Sequence, residues 1–322
     1  MRLIPLSRRQ VLTWALSVGS SWGITSVCNH VSANPRTVTI EDFRGVQTFT
    51  EIPRRVVALQ WDTLENLIGL GITPVGAADI ESWDAWVVEP KLPAGIRSVG
   101  TRAEPNLERI AELKPDLIII GPTQLDIVKH LEEIAPVLVF ENFRGTNPHN
   151  QAQVAFEQLD TLARLFERKT QAQALRAQWE QTRENCRRQI LAHFGKMPEV
   201  QVIRFSSLTT AFVYTQNSIA EYVIDQLGMR QPIRKPATDY GLTQVRLRDL
   251  KNLTETYVVY IRPFSQEKKL LQSILWQATP FARKHRVAAV EPYWSHGGAL
   301  SVALTAERIT QALLSIPVTD QK

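Results

Sequence analysis

Short apolar runs alternate with amphipathic stretches along the first half of the chain. Runs of four or five apolar residues predict strands, and apolar residues spaced three or four apart predict helices. The predicted strands are residues 55–59, 74–78, 117–120 and 137–140, and the predicted helices are residues 61–70, 106–113 and 125–134. Continuous apolar strands between helices are typical of a buried parallel sheet, so this half is predicted to be an α/β unit.

A long helical stretch follows. Residues 151–194 contain no proline and are predicted to be nearly all helical. Toward the end of this stretch, a single apolar stripe repeats at helical spacing on a charged surface, and it comprises Ala172, Leu175, Trp179, Cys186 and Ile190. On this stripe Cys186 is predicted to be a small core residue rather than a reactive thiol. Beyond Gly195, strands and helices resume at residues 200–205, 212–214, 218–227, 257–261, 269–276, 287–290 and 299–314.

The two halves carry a weak internal similarity. Residues 107–120 and 247–260 both contain a short helical pattern followed by a strand pattern. That order is common in α/β proteins, so chance is an alternative explanation. With the long helix, the similarity predicts an α/β fold of two Rossmann-like lobes joined by a backbone helix, with a ligand cleft between them. We predict an N-terminal lobe at residues 34–165, a connecting helix at 166–195 and a C-terminal lobe at 196–322.

The first 33 residues have the three segments of an export signal. A basic start that includes Arg8 and Arg9 precedes a weakly apolar stretch, and small residues follow at positions 31–33. Residues 7–12 fit the twin-arginine pattern. The first alternative is that this segment is a membrane anchor. This is disfavoured because serine and glycine residues interrupt the apolar stretch. The second alternative is a lipoprotein acylated at Cys28. This is disfavoured because Val27 stands where lipoprotein processing needs a small residue.

Removal of this segment changes the charge balance. The whole chain has 37 basic and 32 acidic residues; without the segment's three arginines, 34 stand against 32, a formal charge of +2. Runs of basic residues interleaved with aromatic ones are absent, so we expect no nucleic-acid partner. No other apolar run approaches the roughly 20 residues of a membrane span.

Motifs for enzyme chemistry are scarce. The chain has no P-loop and no dinucleotide-binding glycine motif, and its six histidines form no H-x-x-x-H pair. We therefore predict no catalytic residues, no metal ligands and no cofactor. An exported enzyme on a two-lobed α/β scaffold remains the alternative of another class, and a perturbed acid/base pair in the cleft would favour it.

Tryptophans at predicted strand ends indicate a pocket. Trp61 and Trp294 follow predicted strands, and Trp86 lies in a loop with acidic residues and proline. Ligand crevices of parallel α/β sheets form at such strand ends, although core packing explains any single tryptophan equally well. Arg102 follows another short run and could bind paired oxygens of an anionic group; an exposed pair with Glu104 is the alternative.

These stretches resemble the periplasmic ferric hydroxamate-binding proteins, which are helical-backbone (class III) solute receptors of siderophore ABC importers. The similarity extends over nearly the whole chain after the predicted signal, and residues 86–90 with 102–108 are its most specific portion. The similar stretches are residues 55–76, 86–90, 99–108, 113–117, 216–218, 275–281 and 294–301.

The resemblance implies a function and a site. It implies an exported, periplasmic and monomeric receptor that binds a ferric siderophore of the hydroxamate type and delivers it to an inner-membrane ABC permease. Another iron chelate, haem or cobalamin are alternative ligands. Because the iron arrives already coordinated, no protein ligand to the metal is implied. Arg102 corresponds to the residue that contacts hydroxamate oxygens, and the pocket wall is implied to be Trp61, Trp86, Phe212, Tyr240, Trp294 and His296.

The sequence departs from the family pattern at three places. Residues 121–124 offer no aromatic side chain where the family has a tyrosine, Tyr240 stands for a tryptophan, and His296 stands for another aromatic residue. These departures leave the particular siderophore open.

Docking to the permease in related receptors uses one carboxylate on each lobe. Glu108 matches the first. The internal similarity places Arg248 opposite Glu108, which leaves Asp249 as the nearest substitute on the second lobe. An ordinary exposed charge is the favoured interpretation of Asp249.

Overall fold

Two five-stranded sheets organise residues 37–147 and 149–318, the portion of the chain that this computed structural model describes. The predicted export signal at residues 1–33 and the acylation site at Cys28 lie outside the described residues. Among the described helices, none combines the length and the apolar character that crossing a membrane requires.

The first lobe is built on an all-parallel sheet. Its strands and the hairpin before them are β1 (Val38–Asp42), β2 (Gly45–Phe49), β3 (Val56–Ala58), β4 (Gly76–Ala77), β5 (Arg97–Ser98), β6 (Leu117–Ile120) and β7 (Val137–Val139). The sheet order is β5-β4-β3-β6-β7, and β1 pairs only with β2, antiparallel. The helices between the strands are α1 (Trp61–Gly69), α2 (Trp83–Trp86), α3 (Leu107–Glu112) and α4 (Val128–Glu132), with 3₁₀ turns at Ile80–Ser82 and Pro122–Ile127. The predicted helix at 125–134 thus begins as a 3₁₀ turn.

Two helices follow this sheet: α5 (Gln151–Leu165) and α6 (Lys169–Phe194). Asn150 begins α5 with a capping box, in which its side chain accepts from the backbone N–H of Gln153. The break between the helices contains Glu167, whose φ of 55° lies in the left-handed region. At about 1.5 Å per residue, the 26 residues of α6 extend about 39 Å.

The second lobe is built on a mixed sheet. Its strands are β8 (Val200–Phe205), β9 (Thr210–Tyr214), β10 (Leu242–Arg246), β11 (Tyr257–Ile261) and β12 (Val287–Val290), in the order β10-β9-β8-β11-β12. β8, β11 and β12 are parallel, whereas β9 and β10 run antiparallel to their neighbours. The helices are α7 (Ile219–Gln226), α8 (Glu267–Leu271), α9 (Ile274–Gln277), α10 (Pro280–Arg283) and α11 (Ala299–Leu314). The helix predicted at 269–276 is interrupted because Ser273 caps a new helix, α9, by accepting from the N–H of Trp276.

The predicted two-lobed α/β fold with a long helix between the lobes is confirmed. The weak internal similarity also falls at matching places in the two lobes. Residues 107–120 form α3 and β6, and residues 247–260 form a 3₁₀ turn and most of β11. Both strands stand fourth in the order of their own sheet.

The two lobes are joined by a buried cap on α11. Both carboxylate oxygens of Glu65, on α1, accept hydrogen bonds from Ser301: Oε1 from the backbone N–H at 2.6 Å and Oε2 from the hydroxyl at 2.7 Å. Asn66 adds a third bond, accepting from the N–H of Ala299 at 2.8 Å. Gly297 is required at this contact, since a Cβ there would lie 2.4 Å from Oε2 of Glu65.

The apolar stripe of α6 is buried except at Leu175, which is partly buried, and this has a consequence for Cys186. The thiol is free and only 3% of the residue is exposed, and burial raises its pKa. In a Cys28→Ser variant, we therefore expect Ellman's reagent to leave Cys186 unmodified until denaturant is added, because reaction needs an accessible thiolate. A second cysteine introduced at exposed Glu184 of the same helix is the control and should react at once. Rapid reaction of Cys186 in the folded protein would contradict its placement in the core.

Candidate functional site

Two adjoining cavities lie between the lobes. The larger has a volume of about 730 Å³ and the smaller about 430 Å³. They share five lining residues, so together they form one cleft. The shared residues are Trp61, Asp79, Arg102, Trp294 and His296.

Trp61 forms the floor on the first lobe. It begins α1 directly after β3, its indole N–H donates to the carbonyl of Ala78 at 3.2 Å, and only 2% of the residue is exposed. Its ring meets Trp83 and Trp294 edge to face, with ring centroids 5.8 and 4.8 Å apart. Such edge-to-face contacts are favourable between aromatic rings. They hold Trp61 in one orientation beneath Arg102.

Arg102 lies over this aromatic floor. Its guanidinium carbon is 3.9 Å from the ring centroid of Trp61 and 5.3 Å from that of Trp294. One carboxylate oxygen of Asp79 accepts from Nε of Arg102 at 2.7 Å and from its backbone N–H at 3.1 Å. Cation–π contacts and a charge-assisted hydrogen bond therefore orient the guanidinium, whose side chain remains 28% exposed, toward the cleft.

The wall from the second lobe carries an uncharged histidine. His296 lies beside Trp294, with ring centroids 5.4 Å apart, and meets the ring of Phe143 edge on at 5.9 Å. Burial, with the nearby charges of Arg204 and Arg102, lowers the pKa of His296 to about 3. Its Nδ1 is buried and has no hydrogen-bond partner within the described residues. The imidazole is therefore neutral at physiological pH, so it can donate one hydrogen bond to a ligand and accept another.

Tyr240 stands at the rim of the cleft and joins the lobes. It is half exposed, its φ of 64° is unusual for a residue with a side chain, and its ring stacks on Phe143 at 5.7 Å. Next to it, Asp239 accepts from the backbone N–H of Gly145 at 2.8 Å. The loops after β7 and before β10 thus meet across this side of the cleft.

The smaller cavity extends the cleft toward the second sheet. Trp86 and Phe212 line it, and the rings of Trp86 and Trp294 meet edge to face at 6.4 Å. Arg204, on β8, also lines it, with its guanidinium carbon 5.6 Å from the ring centroid of Trp86. The cleft therefore has an arginine on each lobe, each next to a tryptophan.

The structure brings all seven predicted ligand-binding residues to this cleft. Their roles as ligand contacts stay predictions. Several further lining residues were not predicted from the sequence, among them Asp79, Phe143 and Arg204. Asp79 could have been predicted because it comes just after a predicted strand. Phe143 lies in a loop, where no sequence pattern marks it as part of a site. The predicted residues placed in the cleft are Arg102, Trp61, Trp86, Phe212, Tyr240, Trp294 and His296.

The position without the family tyrosine has a polar wall. Pro122 and Thr123 line the larger cavity there. The side-chain amide of Gln60 donates to Thr123 at 2.6 Å and to Gln124 at 2.9 Å. Gly121 is pressed against Gln60, where a Cβ would lie 2.7 Å from the Gln60 side chain. Hydroxyl and amide groups thus stand where the family resemblance leads us to expect an aromatic ring.

The two candidate docking carboxylates lie outside the cleft. Glu108 is exposed in the first turn of α3. Asp249 is exposed in the 3₁₀ turn before β11, and its carboxylate is 3.9 Å from the guanidinium of Arg248. Each lies just before the fourth strand of its own sheet. Within the described residues, no three or more His, Cys, Asp or Glu side chains are grouped so that they could hold a metal ion.

Two α/β lobes, a long helix between them and a cleft walled by both lobes define a solute-binding receptor. Residues 56–293 match the family model of the periplasmic binding proteins, and the chain belongs to that family.

Individual relatives support this assignment. The iron(3+)-hydroxamate-binding protein FhuD of Escherichia coli is 29% identical over 77% of this chain and 83% of its own length. The Fe(3+) dicitrate-binding periplasmic protein FecB of the same species is 29% identical over 84% of this chain and 86% of its own. The crystal structure of FhuD from Vibrio cholerae with bound Fe3+–Desferal has 42% identity and a TM-score of 0.79, covering 82% of this chain and 99% of that one.

Proposed function

We propose that this protein binds a ferric siderophore of the hydroxamate type between its lobes and delivers it to an ABC permease of the inner membrane. The guanidinium of Arg102, held 3.9 Å above Trp61 and open to an aromatic cleft, is the observation that carries this proposal. The similarity to hydroxamate-binding relatives supports it.

The chemistry of the cleft suits such a ligand. Three hydroxamates neutralise Fe(III) and fill its coordination sphere, so the iron needs no ligand from the protein. Partial negative charge remains on the hydroxamate oxygens, and a planar guanidinium can bind two of them at once. Tryptophan faces cover the organic portion of the chelate and remove apolar surface from water.

The proposal includes how the receptor works in the cell. After export to the periplasm it acts as a monomeric carrier that catalyses no reaction. Glu108 is the proposed contact with the permease on the first lobe, and Asp249 is the nearest candidate at the corresponding place on the second lobe. The long helix α6 restricts the lobes to a small hinge motion, because helices resist bending more than loops do.

Tryptophan fluorescence tests the proposal directly. We expect ferric desferrioxamine B to quench the emission in a saturable titration, because Trp61, Trp86 and Trp294 line the cleft. The iron-free chelator serves as the control and should have little effect. A Trp294→Phe variant should lose part of the quenching, whereas Trp276→Phe, in the core of the second lobe, should show the same absolute decrease in emission as the wild type.

A panel of competing ligands gives the contradicting result. If no ferric hydroxamate quenches or binds, while haem, cobalamin or a catecholate chelate does, the proposed ligand class is wrong. Mass spectrometry of the mature protein checks the cleavage site separately: a start near Asn34 supports cleavage after residue 33, and an acylated start at Cys28 contradicts it.

A further inference from the structure

Arg204 is a cation of the cleft that the proposed function leaves unused. It is half buried on β8, and its Nε is buried without a hydrogen-bond partner among the described residues. Nη2 makes a long hydrogen bond, 3.4 Å, to the carbonyl of Tyr293. The side chain rests beside Trp86 at the wall of the smaller cavity. The guanidinium therefore retains N–H donors, chiefly on Nη1, that a ligand can engage.

The charges around the cleft leave Arg204 uncompensated. Arg102 already has a counterion, the carboxylate of Asp79 at 2.7 Å. Within the described residues no carboxylate oxygen lies within 4 Å of the guanidinium of Arg204. The other acidic group of the cleft, Asp62, lines only the larger cavity and has Asn142 as its hydrogen-bond partner. A partly buried cation without a counterion costs free energy, which an anionic ligand group would offset.

We propose that Arg204 is a second anion anchor, and that the cleft prefers a ferric chelate bearing free carboxylates, a citrate-hydroxamate, over a neutral tris-hydroxamate, which binds less tightly. This inference rests on the proposed function and names its ligand class. The two arginines come from opposite lobes, so a chelate that binds Arg102 through its hydroxamate oxygens can reach Arg204 with a carboxylate. Neutral His296 lines both cavities and adds no third charge.

Two ferric probes of different charge test the second anchor. Ferrichrome is a neutral tris-hydroxamate, and ferric aerobactin is a citrate dihydroxamate with free carboxylates. We expect the wild-type protein to bind ferric aerobactin more tightly. Arg204→Gln should weaken binding of ferric aerobactin at least tenfold and that of ferrichrome less than threefold, because only the first presents an anionic group. Arg204→Lys should restore some of the loss. Arg246→Gln, which removes an exposed arginine from the same sheet, is the matched control.

The outcomes separate this inference from the proposed function. If the wild-type protein binds ferrichrome, and Arg204→Gln changes its affinity for both probes equally or for neither, the second anchor is overturned while the proposed function stands. If no ferric hydroxamate binds, ferrichrome and ferric aerobactin included, the proposed function and the ligand class inferred from it both fail. Rising salt should weaken ferric aerobactin binding to the wild-type protein more than to Arg204→Gln, a readout that a purely structural role would not produce.

Discussion

Replacing Arg102 with glutamine is expected to weaken the binding of ferric desferrioxamine B by roughly tenfold to a hundredfold, about 1.4–2.8 kcal/mol. The guanidinium is fixed from two sides, by Asp79 and by the ring of Trp61. It is therefore preorganised for the ligand, and little conformational entropy is lost when oxygens bind. Glutamine retains one amide donor but neither the charge nor the paired geometry. Fluorescence titration of both proteins at the same ionic strength measures the difference.

A matched arginine on the same lobe separates a local effect from a general change in charge. Arg109 is exposed on α3, away from both cavities, so Arg109→Gln should leave the affinity unchanged. The Tm of each variant shows whether it is folded. An Arg102→Gln protein that keeps its Tm and also keeps wild-type affinity would remove Arg102 from the binding site.

The regular elements of the first lobe could be predicted because its strands are buried on both faces. Leu117–Ile120, for example, is fully buried, and its continuous apolar run was readable directly. The hairpin β1–β2 was missed because it has no continuous apolar run. Its two five-residue strands alternate between more and less exposed positions, a pattern too short to stand out. Nothing in the composition marks the turn between α5 and α6, because it is made at Glu167, whose backbone adopts a left-handed conformation that residues other than glycine seldom adopt.

The site was predictable only where strand ends carry conspicuous side chains. Tryptophan and arginine at such ends pointed to the cleft, and the family resemblance added Phe212 and Tyr240. Arg204 lies inside a strand, between two apolar residues. From the sequence alone, a single charged residue in that position does not show toward which face of the sheet its side chain points. Phe143 contacts Tyr240, almost a hundred residues later in the chain, and such a long-range pair leaves no local pattern.

The cap between the lobes illustrates the same limit and sets the mechanics of the cleft. Glu65 is adjacent to Asn66 in an amphipathic helix, and nothing in the sequence indicates that both reach the first residues of α11. In the structure their oxygens accept from N–H groups that the start of a helix otherwise leaves unsatisfied. The loop that carries Trp294 and His296 leads directly into α11. The cap therefore helps to hold the second wall of the cleft against the first lobe.

Loss of this cap should strongly destabilise the fold. At pH 5.5, we expect Glu65→Ala to lower the free energy of unfolding by about 3 kcal/mol, from two lost hydrogen bonds, an unsatisfied N–H and a small cavity. Thermal unfolding should then show a Tm lower by roughly 5–10 °C. Glu112→Ala, which removes an exposed glutamate from α3, is the control and should change the Tm little.

The effect of Glu65→Ala should also depend on pH, in a direction set by burial. Desolvation raises the pKa of Glu65 to about 7 from an ordinary 4.5. Between these values the folded protein holds a proton that the unfolded chain has released, so the contribution of Glu65 to stability falls as pH rises through this window and is constant above it. The stability difference between wild type and variant should therefore be smaller at pH 8 than at pH 5.5. Asp62, whose pKa burial raises to about 6, titrates in both proteins and largely cancels. A difference that stays constant or grows with pH would show that the Glu65 carboxyl is ionised throughout this range.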